Sequence, residues 1–147
     1  MAVDVLTDIL IARPVDEVAD YTMDPDNAPR WYVNIASVEW QTPKPLVIGS
    51  RLAFRAQFLG RQLAYTYEVA ELVDGARLVM RTAEGPFPME TTYTFEAAAA
   101  GQTRVTLRNR GAPAGFSRIV APFMALAMGR ANRKDLALLK TVLETQS

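Results

Sequence analysis

The chemistry this sequence can offer is carried first by three tyrosines. Tyr65, Tyr67 and Tyr93 occupy alternate positions of strand-like runs, and Thr82, Thr91 and Asn109 share the inward phase of neighbouring runs. A phenol is a hydrogen-bond donor with an ordinary pKa near 10, so it can orient or polarise a carbonyl. Phenol, hydroxyl and amide groups turned to an interior are costly when left unpaired. They suit a pocket whose occupant is apolar but carries a few polar atoms. The chain has no His and no Cys. That removes the commonest general base, thiol chemistry, disulfides and a zinc site. Any catalysis must use Asp, Glu, Tyr, Lys, Arg, Ser or Thr, and no Asp or Glu falls on a position read as inward-facing.

Plainer readings compete at each position. Bulky rings on the dry face of a sheet are ordinarily core. Trp31 reads as an anchor holding short helices to the sheet, with the mouth of a cavity as the alternative place for it or for Tyr32. Asp24, Asp26 and Asn27 stand beside prolines and read as turn and cap residues rather than cation ligands. Gly60, Gly85, Gly111 and Gly115 make no phosphate-binding pattern. Arg104, Arg108 and Arg110 read as a solvated face, unless a bulge near Asn109 turns Arg110 inward. No metal and no cofactor is expected.

The elements that would position these residues follow from periodicity. Val3 to Ala12 reads as a strand. Pro14 opens a short helix with Asp16 and Glu17 in its first turn, where the helix dipole favours acids. Asp24-Pro25 stops it, and Asp26 or Asn27 can cap a second short helix carrying Trp31 and Tyr32. A strand over Ile35 to Gln41 places Val38 and Trp40 on one face. Leu52, Phe54, Ala56 and Phe58 alternate next, then Leu63, Tyr65, Tyr67 and Val69. Asp74-Gly75 is a hairpin signal. Leu78, Met80 and Thr82 follow, then Met89, Thr91, Tyr93 and Phe95, then Val105, Leu107 and Asn109. Short turns imply antiparallel pairing, with one wet and one dry face. The last segment, Phe116 to Leu143, is the long stretch of helical period: Phe116, Ile119, Val120, Phe123, Met124 and Ala127 recur at three- and four-residue steps. After the polar interval Arg130-Ala131-Asn132-Arg133-Lys134-Asp135 the pattern resumes with Leu138, Leu139, Val142 and Leu143. This helix is the obvious cover for the dry face.

Composition sets the outer bounds. A chain of 147 residues is read as one domain, 1–147, large enough for a real core. Lys plus Arg and Asp plus Glu number 16 each, so nothing predicts attraction to nucleic acid or anionic lipid. No apolar run reaches the ~20 residues of a membrane span. The N-terminus, with two acids and no basic region, makes a poor signal peptide, and the expected location is cytoplasmic.

The order strand, two short helices, six strands and a long helix resembles the α+β helix-grip fold of the START/SRPBCC superfamily, which includes polyketide cyclases. Ile11-Ala12-Arg13-Pro14-Val15-Asp16-Glu17-Val18 looks like that family's strand-end, Pro and first-helix segment. Asp24-Pro25-Asp26-Asn27-Ala28-Pro29-Arg30-Trp31 looks like its Asp, Pro and Trp signature, and Val38-Glu39 fits the strand that follows. These motifs are structural rather than catalytic. The resemblance implies a curved antiparallel sheet of about seven strands round the long helix, enclosing an apolar cavity. Trp40, Phe54, Phe58, Tyr65, Tyr67, Met80, Thr82, Thr91, Tyr93, Phe95 and Asn109 would then line it from the sheet, and Ile119, Phe123 and Ala127 from the helix, where small Ala127 and Gly129 would leave room. Arg130, Arg133 and Lys134 are expected near the surface, and Leu136 to Leu143 in plain core.

A fold does not fix function. The leading expectation is binding of a small hydrophobic ligand, aromatic or polyketide-like. A cofactor-free cyclase or dehydratase using the tyrosines is the alternative, and enzymatic activity is left open. A protein-interaction module of the same superfamily, with a filled core and an exposed face including Met124, Leu126 and Met128, is the third reading. A homodimer is compatible with any of them.

Overall fold

The computed structural model describes residues 3–58, 60–84, 88–111 and 121–145. They form one seven-stranded antiparallel sheet and a long helix. The strands are β1 (Val3–Ile11), β2 (Ile35–Trp40), β3 (Arg51–Phe58), β4 (Arg61–Val73), β5 (Arg77–Glu84), β6 (Met89–Ala97) and β7 (Thr103–Gly111). Their order across the sheet is β1-β7-β6-β5-β4-β3-β2. From β2 to β7 each strand lies beside the next, whereas β1 and β2 are at opposite edges. The chain crosses between them through α1 (Val15–Met23), a 3₁₀ turn (Pro25–Asn27) and α2 (Ala28–Trp31). The C-terminal helix α3 (Ala121–Thr145) packs against β1 and α2. This is the α+β helix-grip arrangement, a curved sheet holding one long helix.

Alternation of side chains decides the two faces of the sheet. On β7, Thr103, Val105, Leu107 and Asn109 are buried while Arg104, Arg108 and Arg110 are exposed. On β6, Met89, Thr91, Tyr93 and Phe95 are buried. Opposite charges face one another on the outer surface: Arg108 and Asp4 at 2.6 Å, Arg81 and Arg110 each at 2.7 Å from Glu90, Arg51 and Glu68 at 3.1 Å. Such exposed pairs are each worth at most about 1 kcal/mol, but they favour the observed register. Arg110 therefore points outward, and no bulge turns it to the interior. Gly60 and Gly75, with φ of 76° and 72°, allow the tight returns between β3 and β4 and between β4 and β5.

The helical connection departs from the expected capping. Asn27 precedes α2 without a side-chain cap, and Asp24 instead caps the 3₁₀ turn by accepting from the Asp26 amide at 3.0 Å. Asp26 is then free to accept from Trp40 Nε1 at 2.8 Å and Lys44 Nζ at 2.6 Å. That contact draws the Trp40 indole to the rim of the sheet.

The phase of α3 also differs from the sequence reading. Its inward face runs through Met128, Asn132, Asp135, Leu136, Leu139 and Leu143, all buried. These positions recur at the three- and four-residue steps of a helix. Phe123 is 70% exposed and Leu126 56%, so the apolar stripe drawn through Phe123 and Ala127 is displaced from the buried one. Part of the inward face is polar, which is why apolar spacing alone misplaced it. Gly129 is buried beside β1 and is not part of the cavity lining. A Cβ there would come within 3.6 Å of Val5 on β1.

Leu139, fully buried, sits in the core with Ile11, Val18, Leu107 and Leu143. Leu139→Ala is expected to cost about 2–5 kcal/mol in chemical denaturation, and Leu126→Ala to stay within about 0.5 kcal/mol of wild type. The reverse order would mean that α3 is rotated on the sheet.

Candidate functional site

The sheet curves away from α3 faster than side chains fill the gap. A cavity of about 160 Å³ remains between the sheet, α1, α2 and the first half of α3. Apolar cavities of roughly 150 Å³ hold one aromatic ring, which sets the scale. Trp31, Phe54, Leu78, Met80, Met89 and Met128 give it an apolar wall. Polar groups interrupt that wall at two places.

The first is on β6 and β7. The Thr91 hydroxyl donates to Asn109 Oδ1 at 2.6 Å, and both residues are buried. Tyr67 and Tyr65 stand near them on β4, their rings 5.9 Å apart. Burial pushes the Tyr65 phenol up to about 12, with a smaller contribution from Tyr67. Burial raises Tyr67 too, and interaction with the Thr91 hydroxyl partly offsets it.

The second lies one step further along β6, where Tyr93 follows Thr91 on the same face at about 7 Å. The Tyr93 and Tyr32 hydroxyls share a hydrogen bond. Trp31 stacks on Tyr32 with ring centroids 4.0 Å apart and meets Tyr93 edge-on at 6.0 Å. Burial holds the Tyr93 phenol well above its ordinary range, and the charge of Asp135 adds to the shift. The three sheet tyrosines therefore stay neutral at ordinary pH and act as hydrogen-bonding groups rather than bases.

Asp135 completes this end, and it corrects the expectation that no carboxylate faces inward. It is 2% exposed and lines the cavity from α3. Its Oδ1 accepts from the Val33 amide at 2.9 Å. Burial pushes its pKa up to about 6, against the lowering effect of the Val33 hydrogen bond. Asn132, one turn earlier, is 4% exposed and its Nδ2 has no acceptor among the described residues. Thr22 Oγ1 and Trp31 Nε1, on other lining residues, are also buried without partners among the described residues. The signal that could have found Asn132 and Asp135 was their spacing from Met128 and Leu139. Their polarity hid it, since polar residues on an amphipathic helix ordinarily face water.

Of the residues expected at the site, Phe54, Tyr65, Tyr67, Met80, Thr91, Tyr93 and Asn109 line the cavity together. Trp31 and Tyr32 line it as well, and Trp31 also anchors the core at 1% exposure. Five others stand elsewhere. Trp40 is held at the rim by Asp26. Thr82 closes the β5–β6 return, its Oγ1 accepting from the Met89 amide at 2.9 Å. Phe95 lies in the closed core, Phe123 is exposed, and Ala127 is half-buried away from the lining. Ile119 and the Phe58 and Met124 side chains lie outside the described residues. Among the described residues no group of three or more acidic side chains could hold a metal ion, and no helix is long and apolar enough to cross a membrane.

Comparison with known proteins agrees with this architecture. The family profile described as "Polyketide cyclase / dehydrase and lipid transport" matches residues 2–144. Among solved structures, a START superfamily protein from Mycobacterium smegmatis aligns with a TM-score of 0.85 at 12% identity, covering 98% of this chain and 99% of that one. A protein from Thermus thermophilus aligns at 0.83 with 19% identity, covering 96% and 97%. The Zhui aromatase/cyclase of a Streptomyces species aligns at 0.81 with 16% identity, covering 98% and 94%. No curated protein sequence matches.

Asp135 gives the fold a defined pH response. Its carboxyl ionises near pH 6 when folded, against about 3.8 when unfolded. Between these values the unfolded chain releases its proton first, so stability falls as pH rises from about 4 to 6 and this contribution is flat above. The full penalty is on the order of 3 kcal/mol. Asp135→Asn, which keeps an acceptor for the Val33 amide, is expected to raise Tm at pH 8 and to leave it nearly unchanged at about pH 4. Thermal melts across that range check it; equal shifts at both ends would remove burial of the charge as the cause.

Proposed function

Because the chain belongs to the polyketide cyclase / dehydrase and lipid transport family, we propose that it binds a small, compact aromatic molecule in the cavity between sheet and α3. The observation that carries this reading is the cavity itself: about 160 Å³ with an apolar wall, in which unpartnered polar side chains are buried. Burying such groups costs about 1–3 kcal/mol each unless something hydrogen-bonds to them. An occupant with a few oxygens answers that cost, whereas a filled-core interaction module has no use for the space. Met128, which that third reading placed on an outer face, is buried and lines the cavity.

Ligand-dependent thermal stability tests the reading. A ligand at a hundred times its Kd stabilises by about 2.7 kcal/mol, roughly 5–10 °C for a chain of this length. Compounds of one ring or two fused rings should give such shifts, and Ala131→Phe, which fills the cavity from α3, should abolish them while the variant still melts cooperatively. Absence of a shift with every ring compound tried would sink the proposal.

One observation favours catalysis as a second reading. Asp135 is a buried carboxylate whose proton leaves near pH 6, where a general base is effective. It could take a proton from the carbon beside a ligand carbonyl while a tyrosine hydroxyl hydrogen-bonds to the enolate oxygen. Attack of that carbon on a second carbonyl closes a ring, and loss of the resulting hydroxyl with a neighbouring hydrogen gives water and a double bond. The first step is separable. In D₂O, the methyl group of 2-acetylnaphthalene should exchange faster with the protein than in buffer, half-maximally near pH 6, and Asp135→Asn should cut the rate about 100-fold or more. Exchange indifferent to Asp135→Asn would leave binding as the sole function.

A further inference from the structure

Two side chains on one turn of α3 set the terms of recognition at the deeper polar end. Asn132 and Asp135 are three residues apart, so their side chains project from the same helix face about 5–6 Å from each other. Both are more than nine-tenths buried and both line the cavity. Asn132 Nδ2 has no acceptor among the described residues. The described hydrogen bond to the Asp135 carboxylate engages Oδ1 only, from the Val33 amide. An amide donor without an acceptor among the described residues therefore stands on the same helix face as a carboxylate whose described hydrogen bond is at Oδ1. Of the other polar groups lining the cavity, Tyr32 is matched with Tyr93 and Thr91 with Asn109, while Thr22 Oγ1 and Trp31 Nε1, on α1 and α2, are buried without a partner among the described residues.

We propose that Asn132 and Asp135 form a subsite for one uncharged hydroxyl group of the ligand. Its oxygen accepts from Asn132 Nδ2 and its hydrogen is donated to Asp135 Oδ2. The inference rests on the binding reading above and narrows it to hydroxylated arenes, the class of phenols and naphthols. The chemistry of the pair excludes the neighbouring classes. A carboxylate ligand brings a second negative charge against Asp135. An ammonium group has no lone pair for Asn132. An ether accepts from Asn132 but leaves Asp135 Oδ2 without a donor. A bare hydrocarbon satisfies neither. The ring of the ligand lies on the apolar wall formed by Trp31, Leu78 and Met80.

Four probes of one shape separate these cases: naphthalene, 2-methoxynaphthalene, 2-naphthol and 2-naphthoate, titrated into the full chain at about pH 8, where Asp135 is ionised. 2-Naphthol should bind about tenfold tighter than naphthalene or the ether, and 2-naphthoate weakest of the four. Asn132→Leu, close to the native side chain in volume, should bring 2-naphthol down to the affinity of naphthalene and leave naphthalene within about twofold. Asp135→Asn, which can still accept from the Val33 amide, should weaken 2-naphthol several-fold and relieve the exclusion of 2-naphthoate. The Asn132 side-chain amide resonances should move on addition of 2-naphthol and stay in place with naphthalene. Equal affinity for naphthalene and 2-naphthol, or a naphthol preference that survives both substitutions, overturns the subsite and leaves the pocket reading standing. Failure of all four probes to bind overturns both.

Discussion

One buried carboxylate joins α3 to the connection that walls the cavity, at the opposite end from the contacts of Lys140 and Glu144 with Leu10, Ala12 and Arg13. The Val33 amide, in the short connection between α2 and β2, donates to Asp135 on α3. A helix gripped by a sheet is free to slide or rotate as long as its apolar surface stays covered, because hydrophobic contact is not directional. A buried carboxylate is different. It must keep its partner, and losing that partner leaves a charge in a low-dielectric interior at a cost of several kcal/mol. Together with the contacts of Lys140 and Glu144 at the far end of the helix, the pairing sets the rotation of α3, and it holds the connection that carries Tyr32. It also defines where the cavity stops being apolar.

The aromatic cluster extends the same constraint into the sheet. Tyr32 stacks on Trp31 and shares a hydrogen bond with Tyr93 of β6. Trp31, at 1% exposure, packs in the core with Leu139 and Leu143. The crossing between the two edge strands is therefore pinned at three points: to α3 by Val33, to β6 by Tyr32, and to the core by Trp31. Its outer end is held by Asp26, which reaches Trp40 and Lys44. A segment of short helices with little core of its own becomes one fixed wall of the site, placed against the curve of the sheet.

How much of this could be read from the chain depends on which physical signal each residue carries. The sheet was legible because alternation and short turns are local. Tyr67, Thr91, Tyr93 and Asn109 share a face by counting in twos, and the register of β6 on β7 sets Thr91 opposite Asn109. The rotation of α3 was not legible, because its inward face is completed by Asn132 and Asp135. A reading that sends polar residues to water draws the stripe through Phe123, which is exposed. Trp40 and Thr82 were misplaced for another reason. Their phase is inward, but each has a hydrogen-bond partner off the cavity, Asp26 for one and the Met89 backbone for the other. Alternation predicts a face; it does not predict which member of that face has a better partner at the edge.

The energetics of the interior point the same way as its geometry. Leucine or valine at positions 132 and 135 would bury no charge and no side-chain amide and would remove the Asp135 contribution to the pH dependence of stability, though the Val33 amide would lose its acceptor. The chain instead buries a carboxylate that accepts from the Val33 amide and an amide nitrogen with no acceptor among the described residues. Each choice lowers stability by an amount comparable with a sizeable fraction of a domain's net free energy of folding. On α3 this cost falls on one turn, between Met128 and Ala131, which line the cavity, and Leu136, Leu139 and Leu143, which are buried in the core. Donor and acceptor left open together, in a cavity with room for a ring, are what a polar edge of an aromatic ligand requires. The same pair left open in a filled core would only weaken it.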